Sequence, residues 1–285
     1  MSVFSGIWVP LVTPFSNGSI DHAAIRRLVR FYADARISGL VALATTGEAA
    51  ALDSQEQLAV LETVLDSAGS SLPVIAGLSG NHAGHLREAL QRFTALPIAG
   101  IQVAAPYYVR PSQQGLIEHF SQLADLSSKP LVIYDIPYRT GVNLELATLL
   151  TLAAHPQIQA IKDCGGSLAK TVALIADGRL QVLAGEDLNI FNNLCLGGSG
   201  AISASAHVRP DLFVALADAV AAQQLDQARA IFYQLAPLIQ VLNAEPNPAP
   251  IKAVLANQGW IQNELRSPMT VATPALQSRL QEYVV

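Results

Sequence analysis

The chain has 285 residues, of which 51% are hydrophobic and 14% charged, and its formal net charge is -5 at pH 7. This composition is typical of a globular enzyme with a large core and excludes a disordered or fibrous chain. The acidic balance argues against nucleic acid as a partner, because nucleic-acid binding depends on lysine and arginine side chains that neutralise phosphates. Small acidic metabolites remain candidate ligands.

The sequence has neither a cysteine framework nor a membrane segment. Cys164 and Cys195 are too few for a disulfide scaffold or a zinc quartet, and we interpret both as buried thiols. The first 15 residues contain no basic leader, and no run of about 18 apolar residues occurs. We therefore expect a soluble, cytoplasmic protein without a membrane partner.

Eight short apolar runs, rich in β-branched residues, alternate with longer stretches of helical period. The predicted strands are residues 8–13, 39–44, 73–77, 100–104, 130–134, 158–162, 181–184 and 201–203. Strands that are apolar almost throughout and are separated by helices are typical of a parallel sheet covered by helices. The pattern predicts an α/β fold of the (β/α)₈ TIM-barrel type, which needs about 250 residues. An open doubly wound sheet is the alternative.

Two helix starts carry capping patterns. Asp21 precedes a helix with an apolar face, and Asp53 with Glu56 forms a capping box before a second apolar period. These patterns predict helices directly after the first two strands.

The chain continues beyond the eighth predicted helix, near residues 210–222. Further helices are predicted at 225–242 and 250–258, and a proline-rich connection lies between them. We predict a catalytic barrel over residues 1–223 and a helical C-terminal extension over residues 224–285.

In TIM barrels the catalytic groups lie at the carboxyl ends of the strands and in the loops that follow. Of the four lysines, only Lys162 ends an apolar strand, and Lys129 lies in a loop. Lys170 and Lys252 lie in predicted helices, from which we expect their side chains to extend into polar surroundings (a polar exit). Burial would lower the pKa of Lys162 from the usual lysine value of about 10.4 and make its amine a nucleophile toward a ketone. The alternative is a lysine that pairs with Asp163 or reaches solvent.

Three hydroxyl groups lie at other strand ends and could move protons during imine chemistry: those of Tyr134, Thr45 and Tyr108. The turn that contains Thr45 and Thr46 can direct backbone N–H groups at a carboxylate, and Arg139 offers a planar fork for a second carboxylate. Each aromatic residue could equally be core filler, and Arg139 could be an ordinary surface residue.

Two other patterns do not indicate a site. The glycine-rich run at residues 197–200 precedes the eighth strand, so we interpret it as a tight turn and not as a phosphate cradle. The histidines contain no HExxH motif and no cluster at the strand ends, so we expect no catalytic metal.

Several motifs along the whole chain resemble those of the dihydrodipicolinate synthase family, within the pyruvate-aldolase superfamily that also contains N-acetylneuraminate lyase. They are VTPF at residues 12–15, TTGE at 45–48, PYYVRPSQ at 106–113, YDIPYRTG at 134–141, IKD at 161–163 and EPNPAPIK at 245–252. The paired threonines and the RTG triplet favour the synthase over the lyase.

The resemblance implies a lyase that binds pyruvate as a Schiff base on Lys162 and condenses it with L-aspartate 4-semialdehyde, without any other cofactor. This is a step of lysine and diaminopimelate biosynthesis. It implies a proton relay of Tyr134, Thr45 and Tyr108, with Tyr108 reaching across a dimer interface, and a homotetramer built as a dimer of dimers.

The resemblance also assigns the substrate contacts. Thr45 and Thr46 would hold the pyruvate carboxylate, and Arg139 would hold the carboxylate of the aldehyde acceptor. The backbone carbonyl groups of Gly185 and Ile202 would line the pyruvate site.

Three residues depart from the family pattern. Asp135 stands where asparagine is common, Tyr138 where a small residue is common, and Cys164 lies in an altered segment after Lys162. A sibling aldolase or dehydratase that acts on a sugar acid or another aldehyde is therefore the alternative enzyme. A barrel that has lost catalysis and serves as a sensor or scaffold is hard to reconcile with the intact set of candidate catalytic residues.

The resemblance also bears on whether lysine inhibits the enzyme. In lysine-sensitive members the effector lies at the dimer interface, where acidic and polar side chains hold its ammonium groups. Asn81 and Tyr107 match that site, but His85 stands where an acidic residue is common, and Ser54 and Gln57 stand where histidine or another ligand is frequent. Histidine cannot replace a carboxylate opposite an ammonium group. We therefore expect no inhibition by lysine.

Overall fold

A computed structural model describes residues 4–283. Eight parallel strands form a closed barrel in the order β1-β10-β9-β8-β7-β6-β5-β4, and a separate hairpin pairs β2 with β3. The strands are β1 (Gly6–Val9), β2 (Phe15–Ser16), β3 (Ser19–Ile20), β4 (Gly39–Ala42), β5 (Val74–Leu78), β6 (Gly100–Ala104), β7 (Leu131–Asp135), β8 (Ile158–Asp163), β9 (Gln181–Ala184) and β10 (Gly200–Ile202). The predicted TIM barrel is confirmed. The first barrel strand ends earlier than predicted because Pro10 has no N–H group for the ladder.

Helices separate the barrel strands and continue after the last of them. The α-helices are α1 (His22–Asp34), α2 (Ser54–Ala68), α3 (Ala83–Thr94), α4 (Gln113–Leu126), α5 (Pro137–Thr140), α6 (Leu146–Leu152), α7 (Leu168–Asp177), α8 (Ile190–Cys195), α9 (Pro210–Ala221), α10 (Leu225–Leu242), α11 (Ala249–Asn257) and α12 (Pro274–Leu280). The predicted helical C-terminal part is confirmed, whereas the division at residue 223 stays a prediction. No helix between residues 4 and 283 is both long and apolar enough to cross a membrane.

Both predicted caps are present. The side chain of Asp21 accepts from the backbone N–H of Ala24 at the start of α1. Asp53 and Glu56 form the expected capping box at the start of α2. Side chains that satisfy the free N–H groups of a first turn stabilise the helix by roughly 1 kcal/mol each, so the sequence itself determines where these helices begin.

The chain forms two compact units. The first unit contains residues 4–6 and Ile75–Ile202, and the second contains Ile7–Val74 and residues 203–283. In the first unit, strands β5 to β9 lie side by side in chain order. The second unit contains β1, β4, the hairpin and the helices from α9 onward.

The glycine-rich run before β10 is the tight turn that the sequence predicts. Gly197 has a positive φ of 92°, and a Cβ atom at Gly200 would lie 2.0 Å from the carbonyl oxygen of Gly6. This turn therefore requires glycine for backbone conformation at one end and for close backbone approach at the other.

The interpretation of the two cysteines as buried thiols is half correct. Cys164 is buried, but Cys195 is exposed. Cys195 is the last residue of the short helix α8, and the apolar residue Leu196 that follows it is also exposed.

Candidate active site

Lys162 lies on β8 near the end of the strand and is only 5% exposed. Its neighbour in register on β7 is Tyr134, and the Nζ atom of Lys162 lies 4.5 Å from the centroid of the Tyr134 ring. Burial lowers the pKa of Lys162 and outweighs the opposing influence of Cys164 and nearby carboxylates. The structure thus places a buried amine of lowered pKa beside a tyrosine.

Gly185 packs directly against Lys162. A Cβ atom at Gly185 would lie 2.2 Å from the Sγ atom of Cys164 and 3.1 Å from the Cε atom of Lys162. The backbone N–H of Gly185 donates to the carbonyl oxygen of Asp163 at 2.9 Å. Any larger residue at position 185 would therefore clash with the thiol of Cys164 and crowd the side chain of Lys162. Ile202, the other predicted lining residue of this unit, is fully buried at the end of β10.

Arg139 and Tyr108 lie in surface segments of the first unit. Arg139 is exposed on the short helix α5, and its guanidinium carbon lies 5.8 Å from the centroid of the Tyr138 ring. Tyr108 is 87% exposed and has a positive φ of 70°, and its backbone N–H donates to the carbonyl oxygen of Thr140 at 3.2 Å. The Tyr108 segment is therefore attached to the segment that carries Arg139.

Thr45 and Thr46 belong to the second unit, where they begin a 3₁₀ turn, Thr45–Gly47, directly after β4. Thr46 is 3% exposed, and its Oγ1 atom accepts a hydrogen bond of 3.0 Å from the Nδ2 atom of Asn247. The turn closes with Glu48 in the left-handed conformation, and the backbone N–H of Glu48 donates to the carbonyl oxygen of Thr45. Thr45 is thus partly exposed, whereas Thr46 is buried and hydrogen-bonded.

The family model described as "Dihydrodipicolinate synthetase family" matches residues 3–284. The chain belongs to this family.

Curated relatives named 4-hydroxy-tetrahydrodipicolinate synthase align over nearly the whole chain. The protein from Syntrophus aciditrophicus is 37% identical over 98% of this chain and 97% of its own length. The second synthase of Clostridium acetobutylicum is 35% identical over 98% of this chain and 99% of its own length. Among solved structures, the chloride-inhibited dihydrodipicolinate synthase of Acinetobacter baumannii, complexed with pyruvate, superposes with a TM-score of 0.95 at 30% identity and covers 98% of this chain and 97% of that one.

In this dihydrodipicolinate synthetase family member, Asp135, which the sequence analysis names as a departure from the family pattern, pairs with a lysine. Asp135 is fully buried at the end of β7, and its Oδ2 atom lies 2.5 Å from the Nζ atom of Lys170. The same ammonium group donates to Asn143 Oδ1 at 3.2 Å and to the carbonyl oxygen of Leu144 at 3.1 Å. The sequence prediction of a polar exit for Lys170 is therefore wrong, because its ammonium group is buried against acceptors.

The same correction applies to Lys252, which is fully buried in α11 and forms an ion pair with Glu48. Its Nζ atom also donates to the carbonyl oxygen of Glu264 at 2.8 Å and lies 4.2 Å from the centroid of the Phe15 ring. Three of the four lysines, all of which lie within residues 4–283, are thus buried, but Lys170 and Lys252 are held by carboxylates as structural cations. Burial alone did not distinguish Lys162.

Glu186 was missed by the sequence interpretation. It follows Gly185, it is half-buried, and it lies within hydrogen-bonding reach of Tyr138 and Cys164. Burial raises the pKa of the Glu186 carboxyl group, and these hydrogen bonds oppose the shift. Tyr138 and Cys164 are two of the three residues that the sequence analysis names as departures from the family pattern, and both lie at this carboxylate. A charged residue two positions after the end of β9 was the available indication.

Among the residues that the structure describes, no group of three or more histidine, cysteine, aspartate or glutamate side chains is arranged to hold a metal ion. His207, the most buried histidine, instead accepts a backbone hydrogen bond from Val12 through its Nε2 atom at 3.1 Å. Burial lowers the pKa of His207 to about 4, so the ring is neutral and connects two backbone segments of the second unit.

Proposed function

We propose that the chain condenses pyruvate, bound as a Schiff base on Lys162, with L-aspartate 4-semialdehyde to give 4-hydroxy-tetrahydrodipicolinate. The observation that supports this proposal most strongly is the buried amine of Lys162 beside Tyr134 in a member of the dihydrodipicolinate synthetase family. The relatives that carry the synthase name and the pyruvate complex of the Acinetobacter baumannii protein point to the same reaction.

The first step of the proposed mechanism is imine formation. The neutral amine of Lys162 attacks the ketone carbon of pyruvate, and the hydroxyl group of the resulting carbinolamine leaves as water after protonation. The positively charged imine then draws electrons from the methyl carbon, which loses a proton and becomes the nucleophilic carbon of an enamine. The imine itself is the electron sink, so the proposal includes no further cofactor and no metal.

Several proton transfers accompany these steps, and we assign them to Tyr134, Thr45 and Tyr108. Hydroxyl groups both donate and accept hydrogen bonds, so a series of them can pass a proton in either direction. The position of Tyr134 against Lys162 supports its place at the lysine end of the relay.

The second substrate enters as the aldehyde acceptor. We assign its carboxylate to Arg139, because a guanidinium group binds a carboxylate through two parallel hydrogen bonds. The enamine carbon attacks the aldehyde carbon, the aldehyde oxygen takes up a proton, and the imine on Lys162 is re-formed. The amino group of the acceptor then attacks the imine carbon, which closes the ring and releases Lys162.

The pyruvate carboxylate is assigned to Thr45 and Thr46, and the carbonyl groups of Gly185 and Ile202 complete the pyruvate site. The tight packing of Gly185 on Lys162 supports a role for its backbone at this position.

The proposed assembly is a cytoplasmic homotetramer, built as a dimer of dimers, in which Tyr108 reaches into the site of a second copy. The 87% exposure of Tyr108 supports this assignment, because a buried tyrosine could not contact another subunit.

A panel of aldehydes supplied with pyruvate tests the choice of acceptor. We expect L-aspartate 4-semialdehyde to give the highest kcat/KM. Faster cleavage of neuraminate, or faster dehydration of a sugar acid, would instead identify a sibling aldolase or dehydratase.

Arg139→Ala should raise the KM for the semialdehyde far more than the KM for pyruvate, because the variant loses the fork that binds the acceptor carboxylate. A charge-assisted hydrogen bond contributes about 1.5–3 kcal/mol, which corresponds to roughly 10- to 100-fold in affinity. Steady-state kinetics with each substrate varied in turn measure the difference. Arg110→Ala is a matched control, since Arg110 is an exposed arginine whose Nε atom donates to the carbonyl oxygen of Gly141. Equal effects of Arg139→Ala on both KM values would indicate a structural role.

L-lysine at millimolar concentration should leave the activity unchanged. Asn81 Nδ2 donates to the carbonyl oxygen of Tyr107 at 3.4 Å, and the ring of His85 lies 4.1 Å from that of His82. A histidine in this position supplies no counter-charge to an ammonium group. An inhibition curve on the purified enzyme checks the prediction. Clear inhibition would show that another carboxylate binds the effector, and His85→Glu would then change the inhibition little.

A further inference from the structure

The turn that carries Thr45 and Thr46 is joined to residues 247–252 of the second unit by two side-chain contacts. Asn247 donates to the hydroxyl group of Thr46 at 3.0 Å across a sequence separation of 201 residues. Two residues after Thr46, Glu48 forms an ion pair with Lys252. Both contacts join the same two segments, so the C-terminal segment sets the position of the turn.

The ion pair is itself fixed by further contacts. Lys252 is fully buried, and the second carboxylate oxygen of Glu48 accepts a hydrogen bond of 3.1 Å from the backbone N–H of Arg266. The guanidinium group of Arg266 in turn forms two hydrogen bonds of 2.6 Å with Glu56 at the start of α2. Displacement of either Lys252 or Glu48 would leave the other charge buried without its counter-ion. Asn247, five residues before Lys252, is therefore held in place against Thr46.

The direction of the Asn247–Thr46 hydrogen bond has a chemical consequence. A threonine hydroxyl group has one hydrogen atom and two lone pairs. Because an N–H group of Asn247 occupies a lone pair of Thr46 Oγ1, the hydroxyl hydrogen remains available to donate to another group. A carboxylate is a partner of the required kind, since its ionised oxygens only accept.

We propose that Asn247 is a positioning residue that orients the hydroxyl group of Thr46 as a hydrogen-bond donor to the pyruvate carboxylate. This inference rests on the proposed function, which assigns that carboxylate to Thr46. Asn247 acts through Thr46, and the Glu48–Lys252 pair maintains the distance between them.

Asn247→Asp tests the orientation, because aspartate has nearly the same shape but only accepts hydrogen bonds. The hydroxyl group of Thr46 would then donate to Asp and present a lone pair to pyruvate. We expect the KM for pyruvate, and the pyruvate concentration that half-saturates borohydride trapping, to rise by about tenfold or more. The KM for the semialdehyde should stay within about twofold.

Asn257→Asp is the matched control, since it introduces the same charge at an exposed residue at the end of α11. It should leave both KM values unchanged. Asn247→Ala, which removes the donor without adding an acceptor, should raise the KM for pyruvate by a smaller factor than Asn247→Asp. It also serves as the test variant if Asn247→Asp does not fold.

A double-mutant cycle with Thr46→Val separates orientation from charge. In the Thr46→Val background, Asn247→Asp should have little further effect on the KM for pyruvate. An equal effect in both backgrounds would overturn the inference, because the added charge would then act without Thr46. An unchanged KM in folded Asn247→Asp and Asn247→Ala, with normal trapping of pyruvate, would also overturn it. A wild-type enzyme that traps no pyruvate would instead contradict the proposed function.

Discussion

Lys162→Met should lower the rate of condensation by about 10³-fold or more, because the variant has no amine to form the imine. Methionine has a similar length and no charge, so the variant should fold normally. Lys162 lies against Tyr134 in a buried position where a neutral side chain is favoured, and burial already lowers the pKa of its amine. Steady-state kinetics and thermal unfolding of the same preparation measure both properties.

The two other buried lysines are the controls for this experiment. Lys252→Met should destabilise the protein by about 3–5 kcal/mol, because it leaves the buried carboxylate of Glu48 without its partner. Lys170→Met should also destabilise the protein, because it leaves the buried carboxylate of Asp135 without its partner. The expected pattern is loss of turnover at normal stability for Lys162 and loss of stability for the other two. Normal turnover in folded Lys162→Met would rule out the imine mechanism.

Tyr108→Phe should lower kcat by about 10²- to 10⁴-fold and leave imine formation intact, because it removes one hydroxyl group of the relay but spares the nucleophile. Tyr108 is 87% exposed, so the loss of its hydroxyl group should barely change the stability of the subunit. Kinetics of condensation, together with trapping of pyruvate on the same variant, measure the two steps separately.

Tyr107→Phe is the matched control for Tyr108→Phe, since Tyr107 is the preceding residue and is also exposed, by 41%. It should leave kcat within about twofold of the wild-type value. An unchanged kcat in Tyr108→Phe would remove Tyr108 from the mechanism.

The barrel could be predicted from the sequence because each strand is apolar almost throughout and each is followed by a helical period. The helix starts at Asp21 and Asp53 could be predicted because their caps depend on residues within one turn. Lys162 could be identified for a similar reason. A lysine at the end of an apolar strand is unusual, and a few neighbouring residues are enough to recognise it.

The burial of the other two lysines could not be predicted from local sequence. Lys170 and its partner Asp135 are 35 residues apart, and Lys252 and Glu48 are 204 residues apart. A helical lysine with polar neighbours looks exposed unless the position of a distant carboxylate is known. The contact of Asn247 with Thr46 was missed for the same reason.

Borohydride trapping tests the central claim most directly, because reduction converts an imine into a stable secondary amine. The purified enzyme is incubated with pyruvate, reduced with borohydride, digested and mapped by mass spectrometry, with Lys162→Met and an enzyme sample without pyruvate as controls. We predict that the peptide containing Lys162 gains the mass of one reduced pyruvate and that Lys162→Met gains none. A wild-type enzyme that gains no mass, or a variant that still gains it, would contradict the assignment of the Schiff base to Lys162.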